Sequence, residues 1–456
     1  MPASASTRSR STPSTGPTAA LRRLAAAMAL GLAATGMAQA QSLKDLYEAA
    51  RAYDATYLAA KSLAQSAQYR AERSAALNKP SLAATAGASQ GYTDTPTTNA
   101  GDLKTVQGAL RGRYPLFNRS NDATIEQARK ALESAAADLE AAEQDLVVRV
   151  AAAYFDVLAA QDTLATTRAS KTAITEQLAS AKRNFEVGTA TITDTREAQA
   201  RFDLATAQEI AADNDLRAKR IALDQLVGKS DVAPKPLAVP VALPGLAPAA
   251  VEEWVTVADG QHPTVKRARV GLEVARLETT KSRAADSPTL DAVASVSNSN
   301  VRGSSLPPVA RGTSTSGSIG VELNWPLYTG GATQAQVREN LALEDKAGND
   351  LQAARRGVAQ GTRVAFFGVQ SGLARVLALE AAEASSKLAL EATQLGYRVG
   401  VRVNLDVLNA QTQLFSTQAD LAKARYDVLV GGLRLRQASG QLAGGDVEAV
   451  NRLLAK

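Results

Sequence analysis

The chain is internally duplicated, and this repeat constrains its fold more than any other feature of the sequence. Several residues recur after a constant offset of 212 positions. Short motifs that resembled each other by chance would not all be separated by the same number of residues. The recurring residues are Val187-Gly188 and Val399-Gly400, Asp194 and Asp406, Phe155 and Phe367, and Gly228 and Gly440. A constant offset over such a distance predicts two structural repeats of the same design.

Each repeat contains a sequence typical of the tip of a helical hairpin. In the second repeat, a long helical pattern stops at Gly400 and resumes by Asn404. Glycine readily ends a helix, and asparagine can cap the helix that follows. Asp406 then falls in the first turn of the outgoing helix, where the helix dipole favours a negative charge. The sequence therefore predicts hairpin tips near residues 187–194 and 399–406.

Two predicted strands and a very long helix lie between the start of each repeat and its tip. The strands cover residues 82–117 and 290–328, and a helix precedes each pair. The segment from about Asn121 to Phe185 predicts a helix of roughly 100 Å, at ~1.5 Å per residue. Every seventh residue from Ile125 to Leu146 is Ile or Leu, which is typical of a coiled coil. The predicted repeats cover residues 41–231 and 250–456, joined by the proline-rich linker 232–249.

Residues 1–40 resemble a secretory signal peptide. Arg22 and Arg23 precede the apolar run 24–34, and the Ala38-Gln39-Ala40 sequence fits a cleavage site before Gln41. The formal net charge of the chain is +6, but residues 1–40 contribute four arginines and no acid. The mature chain is therefore close to neutral, which argues against a nucleic-acid partner. The signal predicts a protein of the bacterial envelope.

The composition also argues against enzymatic function. The chain has no cysteine and a single histidine, His262, so thiolate chemistry and a histidine metal cluster are both excluded. No phosphate-binding glycine loop occurs at a strand–helix junction. We therefore expect a protein that is not an enzyme and that binds no cofactor and no metal.

The number of predicted strands has a consequence for assembly. Four strands of membrane-spanning length cannot close a barrel, and an open sheet edge in lipid would leave backbone groups unpaired. Two chains would supply eight strands, which enclose an interior filled by side chains. Three chains would supply twelve, enough for an open lumen. Counting strands therefore predicts an α+β membrane protein that forms a trimeric, twelve-stranded barrel.

The order of these features resembles the TolC family of outer-membrane channel-tunnels over residues 41–456. The motifs that carry the resemblance are Tyr397-Arg-Val-Gly400, Val187-Gly188 followed by Ile192-Thr-Asp194, and Pro326-Leu-Tyr-Thr-Gly-Gly331. The resemblance implies a homotrimer in the outer membrane, with a periplasmic α-barrel of long coiled-coil hairpins. It also implies partners, a periplasmic adaptor protein and an inner-membrane transporter. The function implied is the exit duct of a tripartite efflux pump or a type I secretion system.

The resemblance assigns roles at the periplasmic entrance. Asp406 matches an aspartate that lines the narrow entrance, where three copies would form an acidic ring that favours cations. Asn409 stands where the family has a second acidic ring, so we expect weaker cation selectivity and weaker block by multivalent cations. The alternative for Asp406 is an ordinary first-turn aspartate stabilised by the helix dipole.

A second set of residues is expected to hold the entrance closed. Tyr397 and Arg402 match residues that tie the inner hairpin to its neighbours, and their expected partners are Thr193, Asp194 and Gln177. Gln394 replaces a glutamate of the family, so one charged link becomes a hydrogen bond. The alternative is that these polar side chains are simply solvated.

The tips themselves are expected to dock the adaptor, through Val187, Gly188, Val399 and Gly400. Helix capping by the two glycines is the simpler interpretation of the same residues. A different alternative for the whole chain is a periplasmic adaptor protein, but an adaptor would have one hairpin flanked by soluble β-domains. The sequence leaves open which cargo and which class of pump the protein serves.

Overall fold

A computed structural model describes residues 41–95, 98–238, 240–241 and 243–455 of the chain. The predicted signal peptide, residues 1–40, lies outside the described residues. Each half of the described chain contains two shorter helices, two strands and two long helices, in that order. In the first half these are α1 (Leu43–Tyr53), α2 (Ala55–Ala75), β1 (Ser81–Thr95), β2 (Thr98–Phe117), α3 (Arg119–Glu186) and α4 (Ile192–Val227).

The second half repeats this order and adds a short C-terminal helix. Its elements are α5 (Val251–Gln261), α6 (Pro263–Ala284), β3 (Thr289–Arg302), β4 (Gly312–Asn324), α7 (Ala332–Arg398), α8 (Asn404–Ala438) and α9 (Gly444–Asn451). Helices α3 and α7 have 68 and 67 residues, so each is about 100 Å long at ~1.5 Å per residue.

Several strand boundaries differ from those that the sequence predicts, which are 82–92, 105–117, 290–301 and 316–328. Pairing in the first hairpin continues to the Thr95–Thr98 pair, so β1 and β2 both reach further into the polar loop, and β4 likewise begins earlier, at Gly312. Strand β4 ends at Asn324, not at Tyr328. Pro326 lacks the N–H group that a sheet requires, which accounts for the earlier end.

The four strands form one antiparallel sheet in the order β1-β2-β3-β4. The two halves meet inside this sheet, because β2 of the first half pairs with β3 of the second. Strands β1 and β4 therefore lie at its two edges. Since side chains alternate along a strand, the register divides the sheet into two faces with different compositions.

The largest apolar core lies near the middle of α3, where α1, α4, α8, α9 and the linker meet it. Phe155 is buried and stacks on Tyr426, with 5.7 Å between the ring centroids. Burial and the nearby Asp162 carboxylate raise the pKa of Tyr426, so its hydroxyl stays protonated and donates to Asp162 at 2.6 Å. The Tyr154 hydroxyl donates to the carbonyl of Lys235 at 2.9 Å, which fixes the linker to this core.

The duplicated sequence does not give equivalent environments. Phe155 is 1% exposed, whereas its counterpart Phe367 is 53% exposed on α7. The adjacent Phe366 is buried instead, against Trp254 and Leu435. The same position of the repeat therefore carries a buried phenylalanine on α3 and an exposed one on α7.

A break between two short helices occurs in both halves, and a side-chain cap starts the second helix of each pair. In the first half, Asp54 accepts a hydrogen bond from the Tyr57 amide at 2.8 Å. Both guanidinium Nη atoms of Arg149 donate to its carboxylate at 3.0 Å, and this interaction lowers the pKa of Asp54. In the second half, His262 Nδ1 accepts from the Thr264 amide at 3.1 Å. The two caps are chemically different, because only the histidine must be neutral to accept.

This histidine cap predicts a pH-dependent stability. Burial lowers the pKa of His262 below its usual value of about 6.5, with Glu140 opposing and Lys266 reinforcing the shift. The stabilisation is therefore complete above pH ~6.5 and is lost as the pH falls through the lower pKa of the folded state. We expect a loss of about 1 kcal/mol per chain, the usual contribution of a cap.

The substitution His262→Asn tests this expectation, because asparagine caps a helix well and does not titrate. Thermal dissociation of the detergent-solubilised protein should be less sensitive to pH between 5 and 8 in the variant than in the parent. Equal pH dependence in both proteins would show that His262 is not the titrating group.

Candidate functional site at the hairpin tips

The two hairpin tips share one backbone geometry. At the first tip, the amides of Thr189 and Ala190 donate to the carbonyl of Asn184 at 2.8 and 3.1 Å. At the second, the amides of Val401 and Arg402 donate to the carbonyl of Gly396 at 2.9 and 3.2 Å. The chain turns between these bonds at Gly188 and Gly400, whose φ angles are +78° and +79°. Such bonds satisfy the last carbonyls of a helix, which explains why glycine recurs at both tips.

The outgoing helices are capped differently. At the first tip, Thr191 and Asp194 form a reciprocal capping box, in which the Asp194 carboxylate accepts from the Thr191 amide at 2.9 Å. At the second tip, Val403 occupies the cap position and its side chain cannot accept. The expectation that Asn404 caps this helix is therefore wrong, because Asn404 is its first residue and its side chain is buried.

Both tips expose apolar side chains that no other described residue covers. At the first tip, Val187 is 73% exposed and Ile192 is 49% exposed. At the second tip, Val399, Val401 and Val403 are 58–75% exposed. A Cβ atom on Gly188 or Gly400 would meet nothing within 4 Å. The tip residues predicted to dock an adaptor are therefore accessible in the single chain.

Among the described residues, three polar contacts close to the tips join the second hairpin to the first, and we call them the tip junction. Asn184 donates to the Tyr397 hydroxyl at 3.2 Å, and Arg201 donates to Asn409 at 3.0 Å. Gln177 donates to the side-chain oxygen of Asn404. The tip junction contains Tyr397 and Gln177, but each contacts a partner other than the one expected, and their role as a latch stays a prediction.

In the part of the chain that the structure describes, the remaining predicted entrance residues take no part in the tip junction. Arg402 approaches Asp406 at 3.6 Å within the same chain. Thr193 is exposed, Asp194 belongs to the capping box, and Gln394 is half-buried. Among the described contacts, neither Tyr397 nor Arg402 reaches Thr193 or Asp194. Links from these two residues to Thr193 and Asp194 of a neighbouring chain stay a prediction.

An apolar contact beneath the tip junction supports it. Leu408 of α8 is fully buried against Ile174, Leu178 and Ala181 of α3 and against residues of α4. Two amide side chains that flank it, Asn404 and Gln411, are also buried. Asn404 Nδ2 and Gln411 Oε1 have no hydrogen-bond partner among the described residues. An unpaired buried polar group costs ~1–3 kcal/mol, so this contact holds the hairpins less tightly than its burial suggests.

Sequence reasoning missed three members of the tip junction: Asn184, Arg201 and Asn404. Asn184 could have been found, because it is the counterpart of Gly396 in the repeat and both accept the amides of the tip. Arg201 could not, because its contact with Asn409 joins helices of different hairpins, whose relative placement the sequence does not give.

The comparisons with known proteins agree with this architecture. The family model described as outer membrane efflux protein matches residues 46–229 and 254–441. The outer membrane protein TolC of Vibrio cholerae is 31% identical over 412 residues, which cover 90% of this chain and 93% of that protein. The alkaline protease secretion protein AprF of Pseudomonas aeruginosa is 34% identical over 397 residues, covering 84% and 81%.

A solved structure has the same fold. The outer membrane protein VceC from Vibrio cholerae superposes with a TM-score of 0.72 at 21% identity, over 87% of this chain and 96% of that one. The family model covers most of both repeats, and TolC of Vibrio cholerae aligns over almost the whole chain. The chain therefore belongs to the outer membrane efflux protein family and is an outer-membrane exit duct of the efflux or type I secretion kind, extending into the periplasm.

Proposed function

We propose that three copies of the chain close a twelve-stranded barrel in the outer membrane and continue it as a helical tunnel across the periplasm. The observation that carries this proposal is the four-stranded sheet with two open edges. Because β1 and β4 run in opposite directions, β4 of one copy can pair antiparallel with β1 of the next. Strands of 13–20 residues are longer than the ~9–11 residues that a tilted membrane strand needs.

The two faces of the sheet suit lipid on one side and water on the other. One face, called here the lipid face, carries apolar residues with exposures of 44–90% that include Leu82, Tyr114, Val296 and Ile319. The opposite, lumenal face carries serine pairs, Ser295–Ser318 at 2.9 Å and Ser297–Ser316 at 2.8 Å. Apolar side chains that are exposed in one chain require an apolar solvent or a partner.

The boundary of the lipid face steps across the sheet, as tilted strands require. On β1 and β2 the apolar residues extend towards the loops as far as Ala88 and Val106. On β3 they stop at Val296, and Asn298 then donates to Thr315 at 2.8 Å. The apolar run of this face ends on β2 at Val106, which lies opposite Asn300, whereas on β3 it ends at Val296. The apolar part of this face therefore ends four residues earlier on β3 than on β2. A membrane plane that crosses strands tilted by ~35–45° gives such a step.

A neighbouring copy also accounts for the exposed apolar surface of α7. By length and composition alone this helix could cross a membrane, but only 17% of its most apolar segment is buried. Val364, Phe367, Leu377 and Leu388 are all more than half exposed. Packing against another copy would bury them in a continuous helical wall. We expect the protein in mild detergent to have three times the mass of one chain, and the mass of a single chain would contradict the trimer.

We place the entrance of the tunnel at the hairpin tips. Three copies of Asp406 would form an acidic ring there, partly neutralised by Arg402 at 3.6 Å. Asn409 adds no charge and is engaged by Arg201. We therefore expect the entrance to select cations only weakly. Opening requires the second hairpin to leave the first, and the polar contacts of the tip junction are weak enough to be broken and re-formed.

The exposed tips provide a docking surface for a periplasmic adaptor, and an inner-membrane transporter would deliver the cargo. A secreted polypeptide is one candidate cargo, because AprF is described as a protein of alkaline protease secretion. A small molecule is the other, because the chain also resembles a protein described as part of a solvent efflux pump in Pseudomonas putida. Deleting the gene and measuring both drug sensitivity and protein secretion would separate the two.

The proposed latch predicts a change in conductance. The double substitution Tyr397→Phe and Arg402→Ser removes the hydroxyl that bonds Asn184 and the guanidinium beside Asp406. We expect a several-fold larger single-channel conductance in planar bilayers, because the hairpins separate more easily.

A matched control is Arg398→Ser, which removes an exposed arginine next to Tyr397 that forms no ion pair among the described residues. It should conduct like the parent. Unchanged conductance in the double variant, with normal insertion, would exclude the latch.

A further inference from the structure

We propose that Arg111 and Glu322 form a charge-balanced ring inside the barrel lumen, separate from the hairpin tips, which keeps the lumen from selecting ions by charge. This inference rests on the barrel proposed above. It concerns the end of the sheet nearest the helices, where the lumenal face changes from uncharged to charged.

Charged residues are confined to one end of the lumenal face. Towards the loops, the described strand residues on this face are mostly serine, threonine, glycine and glutamine. Near the helices, Arg111 lies opposite Ser295, Arg113 opposite Val293, and Asp291 opposite Glu322. These four charged side chains fall in three successive rows of the sheet and balance one another.

Two of these four charged side chains, Arg113 and Asp291, form what we call the inner pair, and its role is structural. Arg113 donates to Asp291 at 2.6 Å, and the Asp291 side chain is only 9% exposed. The second carboxylate oxygen of Asp291 is buried without a hydrogen-bond partner among the described residues. Removing Arg113 would leave both oxygens of a buried carboxylate unpaired, which is strongly destabilising. A substitution at this pair would therefore report on folding rather than on permeation.

The other two, Arg111 and Glu322, form the outer pair, which is exposed and loosely held. The Arg111 guanidinium lies 3.7 Å from the Glu322 carboxylate, and the two side chains are 65% and 59% exposed. A pair that is this long and this exposed is weak. Both groups therefore remain available to ions that pass through the lumen. The chain places one fixed charge of each sign at the same level, so the parent barrel has little preference there.

Removing one member of the outer pair should create a preference. In three copies, Arg111→Gln leaves three Glu322 carboxylates without their arginines and should favour K⁺ over Cl⁻. Glu322→Gln leaves three arginines and should favour Cl⁻. We expect the permeability ratio to change about two- to three-fold, in opposite directions, because fixed charges raise the local concentration of counter-ions. The effect should weaken from 0.1 M to 1 M KCl, as the Debye length falls from ~10 to ~3 Å.

Reversal potentials in planar bilayers under a KCl gradient test the proposal. The charge swap Arg111→Glu with Glu322→Arg should return the ratio to that of the parent. Lys104→Gln is the matched control, because it removes a positive charge at the loop end of the other face and should have no effect. If the K⁺/Cl⁻ permeability ratio were the same in the parent and in all variants, the charge-balanced ring would be excluded. A parent protein that forms no pores would contradict the barrel itself.

Discussion

Ile319→Lys is expected to prevent assembly in the outer membrane, whereas Ser318→Lys, one residue earlier, is expected to be tolerated. Ile319 is 90% exposed on the lipid face, between Gly317 and Val321. A lysine on the lipid face of a membrane strand costs up to ~2–4 kcal/mol, depending on its depth in the bilayer, and a closed barrel would include this cost three times. Ser318 lies on the lumenal face beside Ser295, where a lysine would meet water.

The comparison is informative because the two positions are adjacent and receive the same charge. The measurement is the amount of detergent-resistant oligomer in the outer-membrane fraction. We expect almost none for Ile319→Lys and a nearly normal amount for Ser318→Lys. If the two variants assembled equally well, the assignment of the two faces would be wrong.

Gly440→Ala is expected to cause the second large loss, in the helical part of the molecule. Gly440 ends α8 with a φ angle of +71°. A Cβ atom there would lie 2.6–2.8 Å from backbone atoms of His262 and Gln261, and backbone cannot rotate away as a side chain can. Left-handed strain costs ~1–2 kcal/mol and overpacking costs ~1–3 kcal/mol, so we expect a loss of about 2–5 kcal/mol.

Gly400→Ala provides the control for conformational strain alone. Gly400 has a similar φ angle of +79°, but a Cβ atom would meet nothing within 4 Å. We expect only the ~1–2 kcal/mol of left-handed strain. Thermal unfolding in detergent, followed by circular dichroism, should give Gly440→Ala a much lower melting temperature than Gly400→Ala. Equal melting temperatures would mean that the helix end at Gly440 moves away from the break at His262.

The sequence predicted the features that depend on local chemistry. Glycines at Gly188 and Gly400 turn the chain at both tips, and the alternation along residues 316–324 predicted a strand with two different faces. The offset of 212 residues was also informative, because it related Asn184 to Gly396 in the same turn. Local patterns of this kind survive in the fold because the backbone must satisfy its own hydrogen bonds.

Contacts between distant elements could not be predicted in the same way. Phe155 and Phe367 are equivalent in the repeat, yet one is buried and the other is exposed. Tertiary packing breaks the symmetry, because Phe155 packs on Tyr426 of α8, whereas α7 buries the neighbouring Phe366 against Trp254 and Leu435. The partner of Asn409 is Arg201 for a similar reason, since the placement of one hairpin on the other decides which side chains meet.

Cross-linking between the two sheet edges tests the barrel most directly, and the cysteine-free chain makes the experiment clean. A cysteine at Ala83 on β1 would be combined in turn with one at Ser314, Ser316 or Ser318 on β4, all on the lumenal face. Opposite residues of paired strands have Cβ atoms ~4.5–5.5 Å apart, close to what a disulfide requires. We predict that oxidation in the membrane gives covalent dimers and trimers and nothing larger. A ladder that continues beyond three chains, or no cross-link at any pairing, would contradict a closed barrel of three copies.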